Sequence, residues 1–193
     1  MIIPASYLED EVRDGFPVPS TIKRAWAVQL IILDKVDAIC KKYNIPYYAE
    51  SGTLLGVVRH GGYIPWDDDL DIVMKRPDYE RFLEVAPSEL PEGYRLLNIY
   101  TEEAYDNYLT RIVNSKEICR TEKFLNENCG FPYVMGIDLF VMDYLAPTKE
   151  LEEEQKDYIR KLSSYAKLLN DDGASPDADM MRTIKSYMKQ AMD

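Results

Sequence analysis

The sequence is poor in the residues that build several common kinds of site. It has one histidine, His60, and three cysteines without a Cys-x-x-Cys pair, which excludes histidine-rich zinc sites and a disulfide framework. Lys and Arg number 23 against 34 Asp and Glu, a net charge of −11, so nucleic acid is not expected as a partner. No run of about 18 apolar residues occurs, so no transmembrane segment is expected. We predict a cytoplasmic protein. The inner face of the membrane is a further location that the sequence allows.

Apolar residues are nevertheless plentiful. They make up 46% of the 193 residues, which is enough for one core and too many for a disordered chain. The order of the predicted elements is a helix, then a mixed sheet, then two helices, which indicates an α+β fold. We predict a catalytic core over residues 1–147 and a helical extension over residues 148–193.

Periodicity and turn residues predict the individual elements. Ser20 is expected to cap a long helix that ends near Asn44, and residues 1–19 are expected to be irregular. Further helices are predicted at 54–59, 77–85, 148–170 and from 175 to the end. Strands are predicted at 45–50, 69–75, 94–100, 108–113 and 137–145, with a weaker candidate at 117–124.

Four carboxylates lie within five residues, at Asp67, Asp68, Asp69 and Asp71. A solvated acidic loop is the simple interpretation, but these acids lead directly into an apolar strand. Asp69 and Asp71 are two apart, so both would project from one strand face, where like charges repel unless a cation neutralises them. Oxygen ligands select hard cations, so Mg²⁺ or Mn²⁺ is the expected cofactor.

Asp138 is an acid inside the otherwise apolar segment 136–140. A buried carboxylate without a partner would be costly, which makes Asp138 the candidate for a third metal ligand or a catalytic base. The alternative is an edge strand with Asp138 facing water.

Ser51, Gly52 and Thr53 follow a predicted strand and begin a short helix. Backbone N–H groups at such a turn can hold phosphate. Thr53 precedes Asp69 by 16 residues. A phosphate-binding turn next to a strand with two carboxylates is typical of metal-dependent phosphoryl or nucleotidyl transfer.

The run GTLLGVVRHGGYIPWDDDLDI, residues 52–72, resembles the signature of the LicD family. These are bacterial phosphocholine (diphosphonucleoside choline) transferases, and fukutin and the fukutin-related protein are their animal relatives. The resemblance extends over roughly residues 8–147. Family members typically continue with a longer helical part that contains a late Tyr-Gly-x-Tyr/Trp-like segment. Nothing similar follows Gly173, so residues 148–193 are expected to be a short or truncated extension.

The resemblance implies a nucleotidyltransferase-like fold, a mixed β-sheet flanked by helices. It implies that Asp69 and Asp71 are the metal-binding pair, that Asp138 is the third acid, and that Gly52 and Thr53 form the phosphate turn. The implied donors are CDP-linked alcohols such as CDP-choline. The implied acceptors are hydroxyls of cell-surface glycans, in lipopolysaccharide or teichoic acid.

Four further side chains are candidates for substrate binding. Arg59 and Arg111 would clamp phosphate, although Arg111 would equally suit a surface ion pair. His60 would contact substrate or orient its glycine-rich loop. Trp66 would stack on a base or pack in the core.

Two other functions stay open on the sequence. A nucleotidyl transferase on the same fold would direct attack at the α-phosphorus of a nucleotide and release pyrophosphate. A non-catalytic nucleotide-binding domain would keep the binding residues without turnover.

Overall fold

The computed structural model describes residues 1–102, 105 and 109–171, and the chain forms two compact units, Met1–Asp143 and Tyr144–Asp193. The helices are α1, Ser20–Tyr43; α2, Ser51–His60; α3, Arg76–Glu89; α4, Glu122–Glu127; and α5, Lys149–Asp171. The strands are β1, Glu11–Arg13; β2, Phe16–Val18; β3, Tyr48–Ala49; β4, Asp71–Lys75; β5, Arg95–Leu97; β6, Thr110–Val113; and β7, Gly136–Met142.

Five strands form one mixed sheet in the order β3-β4-β7-β6-β5. The central pair, β4 and β7, is parallel, and the outer pairings are antiparallel. Helices α1 and α3 pack together against β4 and β7. The buried side chains of this layer include Val28, Ile32, Val36, Ile72, Met74, Phe82, Ile137 and Leu139. The predicted α+β architecture, a mixed sheet flanked by helices, is confirmed.

Helix α1 shows how the sequence produces this layer. Apolar residues recur along its 24 residues at helical spacing, so one side is buried from Ala25 to Cys40. The helix ends at Asn44, whose left-handed backbone lets its N–H reach the last carbonyls. The predicted Ser20 cap is wrong: Pro19 occupies the N-cap position, and the Ser20 N–H donates to the Asp10 carboxylate.

Two predicted elements differ in kind. Residues 1–19 are not irregular throughout, because β1 and β2 form a hairpin whose Asp14 and Gly15 both have positive φ, as a two-residue hairpin turn requires. The weak strand candidate at 117–124 is wrong, since α4 begins there. The Thr121 hydroxyl accepts a hydrogen bond from the Phe124 N–H at 3.4 Å and caps that helix.

The remaining predicted elements are present with changed bounds. β4 begins at Asp71 and not at Asp69, and β7 ends at Met142. The predicted helix after residue 148 is α5, whose first turn is capped by the Thr148 hydroxyl. The helix predicted from residue 175 and the residues 106–108 lie outside the described part of the chain. Within the described part, no helix is long and apolar enough to cross a membrane.

Candidate active site

The two central strands bring the predicted acids together. Because β4 and β7 are parallel neighbours, the first residues of both strands lie side by side at one end of the strands. The register pairs Asp71 with Asp138. The Asp138 N–H donates to the Leu70 carbonyl at 3.0 Å, which extends the pairing to the residue next to Asp69. β7 has a neighbour on each side, so Asp138 is on a central strand and not on an edge strand. Its side chain is 19% exposed.

The loop before β4 adds a compact group of carboxylates. Asp67, Asp68 and Asp69 each offer an oxygen within 4.8 Å of the other two. Burial raises the pKa of Asp67, and a hydrogen bond with Asp69 raises it further. Asp69 also raises the pKa of Asp71 and of Asp138, after the larger effect of burial in each case. Asp69 therefore raises the pKa of three neighbouring carboxyl groups, those of Asp67, Asp71 and Asp138.

Asp71 is the most buried of these acids at 8% exposed. Burial, followed by the charges of Asp69 and Asp138, raises the pKa of its carboxyl to about 6. A cation is the natural partner for such a group, because it offsets both the lost hydration and the repulsion. The donors are all carboxylate oxygens, so the residues present fit a hard divalent cation such as Mg²⁺ or Mn²⁺.

Arg111 lies beside Asp138 on the neighbouring strand. The antiparallel register pairs the two residues, and the Arg111 Nε is 3.0 Å from the Asp138 Oδ1. The guanidinium lowers the pKa of Asp138, but burial has the larger effect and the net direction is upward. Of the two roles predicted for Arg111, the structure shows the ion pair, which it forms with a site residue.

The start of α2 lies against the acids. A Cβ added to Gly52 would be 2.5 Å from the Asp67 Oδ2, so only glycine leaves room for that carboxylate. The Thr53 hydroxyl accepts a hydrogen bond from the Asp71 N–H at 2.8 Å. Ser51 is exposed and has a φ of 47°. The predicted turn thus lies next to Asp67 and Asp71, and Thr53 holds the first residue of β4.

His60 and Trp66 form a second group at the other end of α2. The His60 Nδ1 is 2.8 Å from the Asp14 Oδ2, and its ring meets Trp66 edge-on at 6.0 Å. His60 is 6% exposed at its side chain, whereas Trp66 is 57% exposed. The predicted core packing of Trp66 is therefore wrong, because its ring rests on the surface against Phe16.

Arg59 is exposed in the last turn of α2. At about 1.5 Å per residue, the helix separates it from Gly52 by about 10 Å along the axis. The structure therefore does not bring Arg59 to the start of α2, where the acids lie. The predicted substrate-binding roles of Arg59, His60, Trp66 and Arg111 stay predictions.

Asp67 is the site residue that the sequence interpretation left out. Its signal was its place in the same acidic run, but a run of four acids does not show which side chains point inward. The assignment of the metal to Asp69, Asp71 and Asp138 stays a prediction, to which the structure adds Asp67 as a neighbour of Asp69.

The fold and the site together define an α+β protein with a carboxylate cluster at the edge of a mixed sheet, next to a glycine-containing helix start. The nucleotidyltransferase domain of the family described as LicD/FKTN/FKRP matches residues 44–163. That match covers more than half of the chain, and the protein belongs to the LicD family.

Individual relatives agree with the family. The lipopolysaccharide cholinephosphotransferase LicD of Haemophilus influenzae is 37% identical over 127 residues, 64% of this chain and 44% of that protein. An uncharacterized protein of Rickettsia typhi is 43% identical over 74 residues, 38% of this chain and 24% of that protein. One of Rickettsia prowazekii is 36% identical over 101 residues, 50% of this chain and 38% of that protein. The chain thus spans less than half the length of these relatives.

The raised pKa of Asp71 predicts a pH-dependent stability. The folded protein holds this proton more tightly than the unfolded chain, since the pKa rises from 3.8 to about 6. In metal-free protein the stability contributed by Asp71 therefore falls as pH rises from about 4 to 6 and stays low above. Asp71→Asn removes this titration, so at pH 7.5 we expect the variant to be more stable than the parent by roughly 1–2 kcal/mol, after allowance for solvent screening.

Urea unfolding in EDTA at pH 4 and pH 7.5 measures this difference. The gain of the variant over the parent should be large at pH 7.5 and small at pH 4. Equal gains in stability at the two pH values would show that folding does not raise the pKa of Asp71.

Proposed function

We propose that this protein is a metal-dependent transferase that moves a phospho-alcohol group of the phosphocholine type. The donor is a CDP-activated alcohol, and the acceptor is a hydroxyl of a cell-surface glycan. The observation that carries the proposal is the clustering of acids where β4 and β7 begin. The parallel register pairs Asp71 with Asp138, and the oxygens of Asp67 and Asp69 lie within 4.8 Å of each other. The name of the Haemophilus influenzae relative supports phosphocholine as the group and lipopolysaccharide as the acceptor.

Two groups of residues would bind the cation and the donor phosphates in this proposal. Asp69 and Asp71, with Asp67 beside them, hold Mg²⁺ or Mn²⁺. The cation, when bound, supplies neutralisation of charge on the diphosphate oxygens. Ser51, Gly52 and Thr53 offer the backbone N–H groups at the start of α2 to phosphate oxygens.

Asp138 is the proposed base. Its pKa lies above the usual value because it is buried, which makes it a better proton acceptor than an exposed aspartate, and Arg111 orients it. The acceptor hydroxyl gives its proton to Asp138 while its oxygen forms a bond to the β-phosphorus. The bond from the β-phosphorus to the bridging oxygen breaks, and CMP leaves.

Product analysis tests the proposal. The protein is incubated with Mg²⁺, lipopolysaccharide lacking choline, and one of CDP-choline, CTP or ATP. Transfer of phosphocholine with release of CMP is the expected result, lost on addition of EDTA. Pyrophosphate released from CTP or ATP would instead identify a nucleotidyl transferase. Binding of CDP-choline by calorimetry without any product over long incubation would identify a binding domain.

A further inference from the structure

Two buried polar side chains of α1 reach the acidic loop. The Trp26 Nε1 donates to the Asp67 carbonyl at 2.8 Å, and the Gln29 Nε2 donates to the Asp68 carbonyl at 2.9 Å. The loop that carries these acids precedes β4 and lies outside the strand ladder, so its carbonyls depend on partners from elsewhere in the chain.

Gln29 makes one more connection. Its Nε2 is also within 3.4 Å of the carbonyl of Gly136, the first residue of β7. Gly136 precedes Asp138 by two residues, and Asp68 is adjacent to Asp69. One amide group therefore joins the two segments that carry the acids, although these segments are far apart in the chain.

The amide of Gln29 is itself held in place. The Tyr63 hydroxyl donates to the Gln29 Oε1 at 2.9 Å, and the Tyr63 ring stacks on Trp26 with centroids 4.7 Å apart. Gln29 is fully buried, with an exposed fraction of 0%. An apolar side chain of similar size would avoid the cost of burying an amide, so the hydrogen bonds are the reason for glutamine here.

We infer that Gln29 is a positioning residue that sets the distance between the Asp67–Asp69 loop and Asp138. This inference rests on the proposed function, since it concerns the same carboxylates. Gln29 acts through the backbone, since its amide donates to the carbonyls of Asp68 and Gly136. Partners that bond directly to metal ligands typically change metal affinity by 10–100-fold when they are lost. Gln29 acts one residue away from Asp69 and two from Asp138, so we expect an effect at the lower end of that range.

Gln29→Met tests the inference, because it keeps the length of the side chain and removes its hydrogen bonds. The matched control is Tyr79→Phe, which removes a buried hydrogen bond, 2.6 Å from the Tyr79 hydroxyl to the Thr110 Oγ1, in the packing of α3. Both variants should unfold about 2–4 °C below the parent. The dissociation constant for Mn²⁺, measured by electron paramagnetic resonance at 20 °C, should rise about tenfold in Gln29→Met and stay within about twofold in the control.

A second readout needs no metal. Amide hydrogen exchange at residues 67–71 should become faster in Gln29→Met than in the control, since the loop loses its link to α1. Unchanged Mn²⁺ affinity in Gln29→Met, with the parent binding normally, would overturn the inference alone. A parent that bound no Mn²⁺ would overturn the proposed function and the inference with it.

Tyr63→Phe keeps the inference testable if Gln29→Met does not fold. It retains the ring against Trp26 and removes only the hydroxyl that holds the amide of Gln29. We expect a rise of about threefold in the Mn²⁺ dissociation constant, the size that one lost hydrogen bond produces. An affinity equal to that of the parent would contradict the positioning role.

Discussion

Replacing Asp69 by Asn is expected to lower the rate of CMP release from CDP-choline by about 10³-fold or more. Asp69 hydrogen-bonds with Asp67, and its charge raises the pKa of both Asp71 and Asp138. Asparagine keeps the shape and removes the charge that would help these neighbours to hold the proposed cation. Charge stabilisation by a bound metal is worth several kcal/mol, and each 1.36 kcal/mol changes a rate tenfold.

Stability should move the other way in this variant. Without metal, the loss of one charge relieves repulsion within the cluster, so the thermal midpoint in EDTA should stay the same or rise. A rate loss without a stability loss separates a defect of the site from a defect of folding.

The matched control is Asp143→Asn. Asp143 accepts two hydrogen bonds from Arg76, at 2.7 and 2.6 Å, and lies just beyond the end of β7 opposite to the acids. The rate of CMP release by Asp143→Asn should stay within about twofold of the parent, since the lost ion pair with Arg76 is a local surface interaction. If Asp69→Asn kept its rate within tenfold of the parent, the metal assignment would fail.

Gly52→Ala is expected to lower the same rate by about 10²-fold while the protein stays folded. The added Cβ would be 2.5 Å from the Asp67 Oδ2, so the carboxylate must turn away from the start of α2 and from Asp69. A displacement of about 1 Å in a site of this kind costs about that factor.

The folded state itself should tolerate the alanine. Gly52 is the second residue of α2 and its φ lies outside the left-handed region, so alanine adds no backbone strain there. The control is Gly62→Ala, because a Cβ at Gly62 meets no atom within 4 Å. Kinetics and thermal unfolding of both variants make the comparison. Equal rates of CMP release in the two variants would contradict a role for Asp67 in the site.

Local pattern predicted the elements that carry the site. Helical spacing predicted α1, alternation predicted a strand that begins at Asp69, and the residues Ser51–Thr53 were expected to begin a helix. The pattern was less informative about strand ends, since alternation of Leu70, Ile72 and Met74 does not distinguish a paired residue from one in the loop before it. The structure places Asp69 in that loop and Asp71 at the first position of β4.

Side-chain partners were harder to predict than elements. Arg111 was open between a phosphate clamp and an ion pair, and the register of β6 on β7 forms an ion pair with Asp138, while the phosphate clamp stays a prediction. Trp66 was open between stacking on a base and packing in the core, and its exposed ring excludes the core. Such outcomes depend on which segments meet, and nothing near Arg111 or Trp66 in the sequence specifies that.

The sequence by itself determined the kind of donor atoms and the family. Three aspartates before an apolar strand, one at its first position and one inside another strand specify carboxylate oxygens, because the identity of the donor atoms does not depend on the fold. The tertiary structure alone decided which acids share a site. Parallel pairing of β4 and β7 puts Asp71 beside Asp138, and Gln29 of α1 joins the two acid-bearing segments. Those contacts join residues 39 to 107 positions apart, and local periodicity carries no information over such separations.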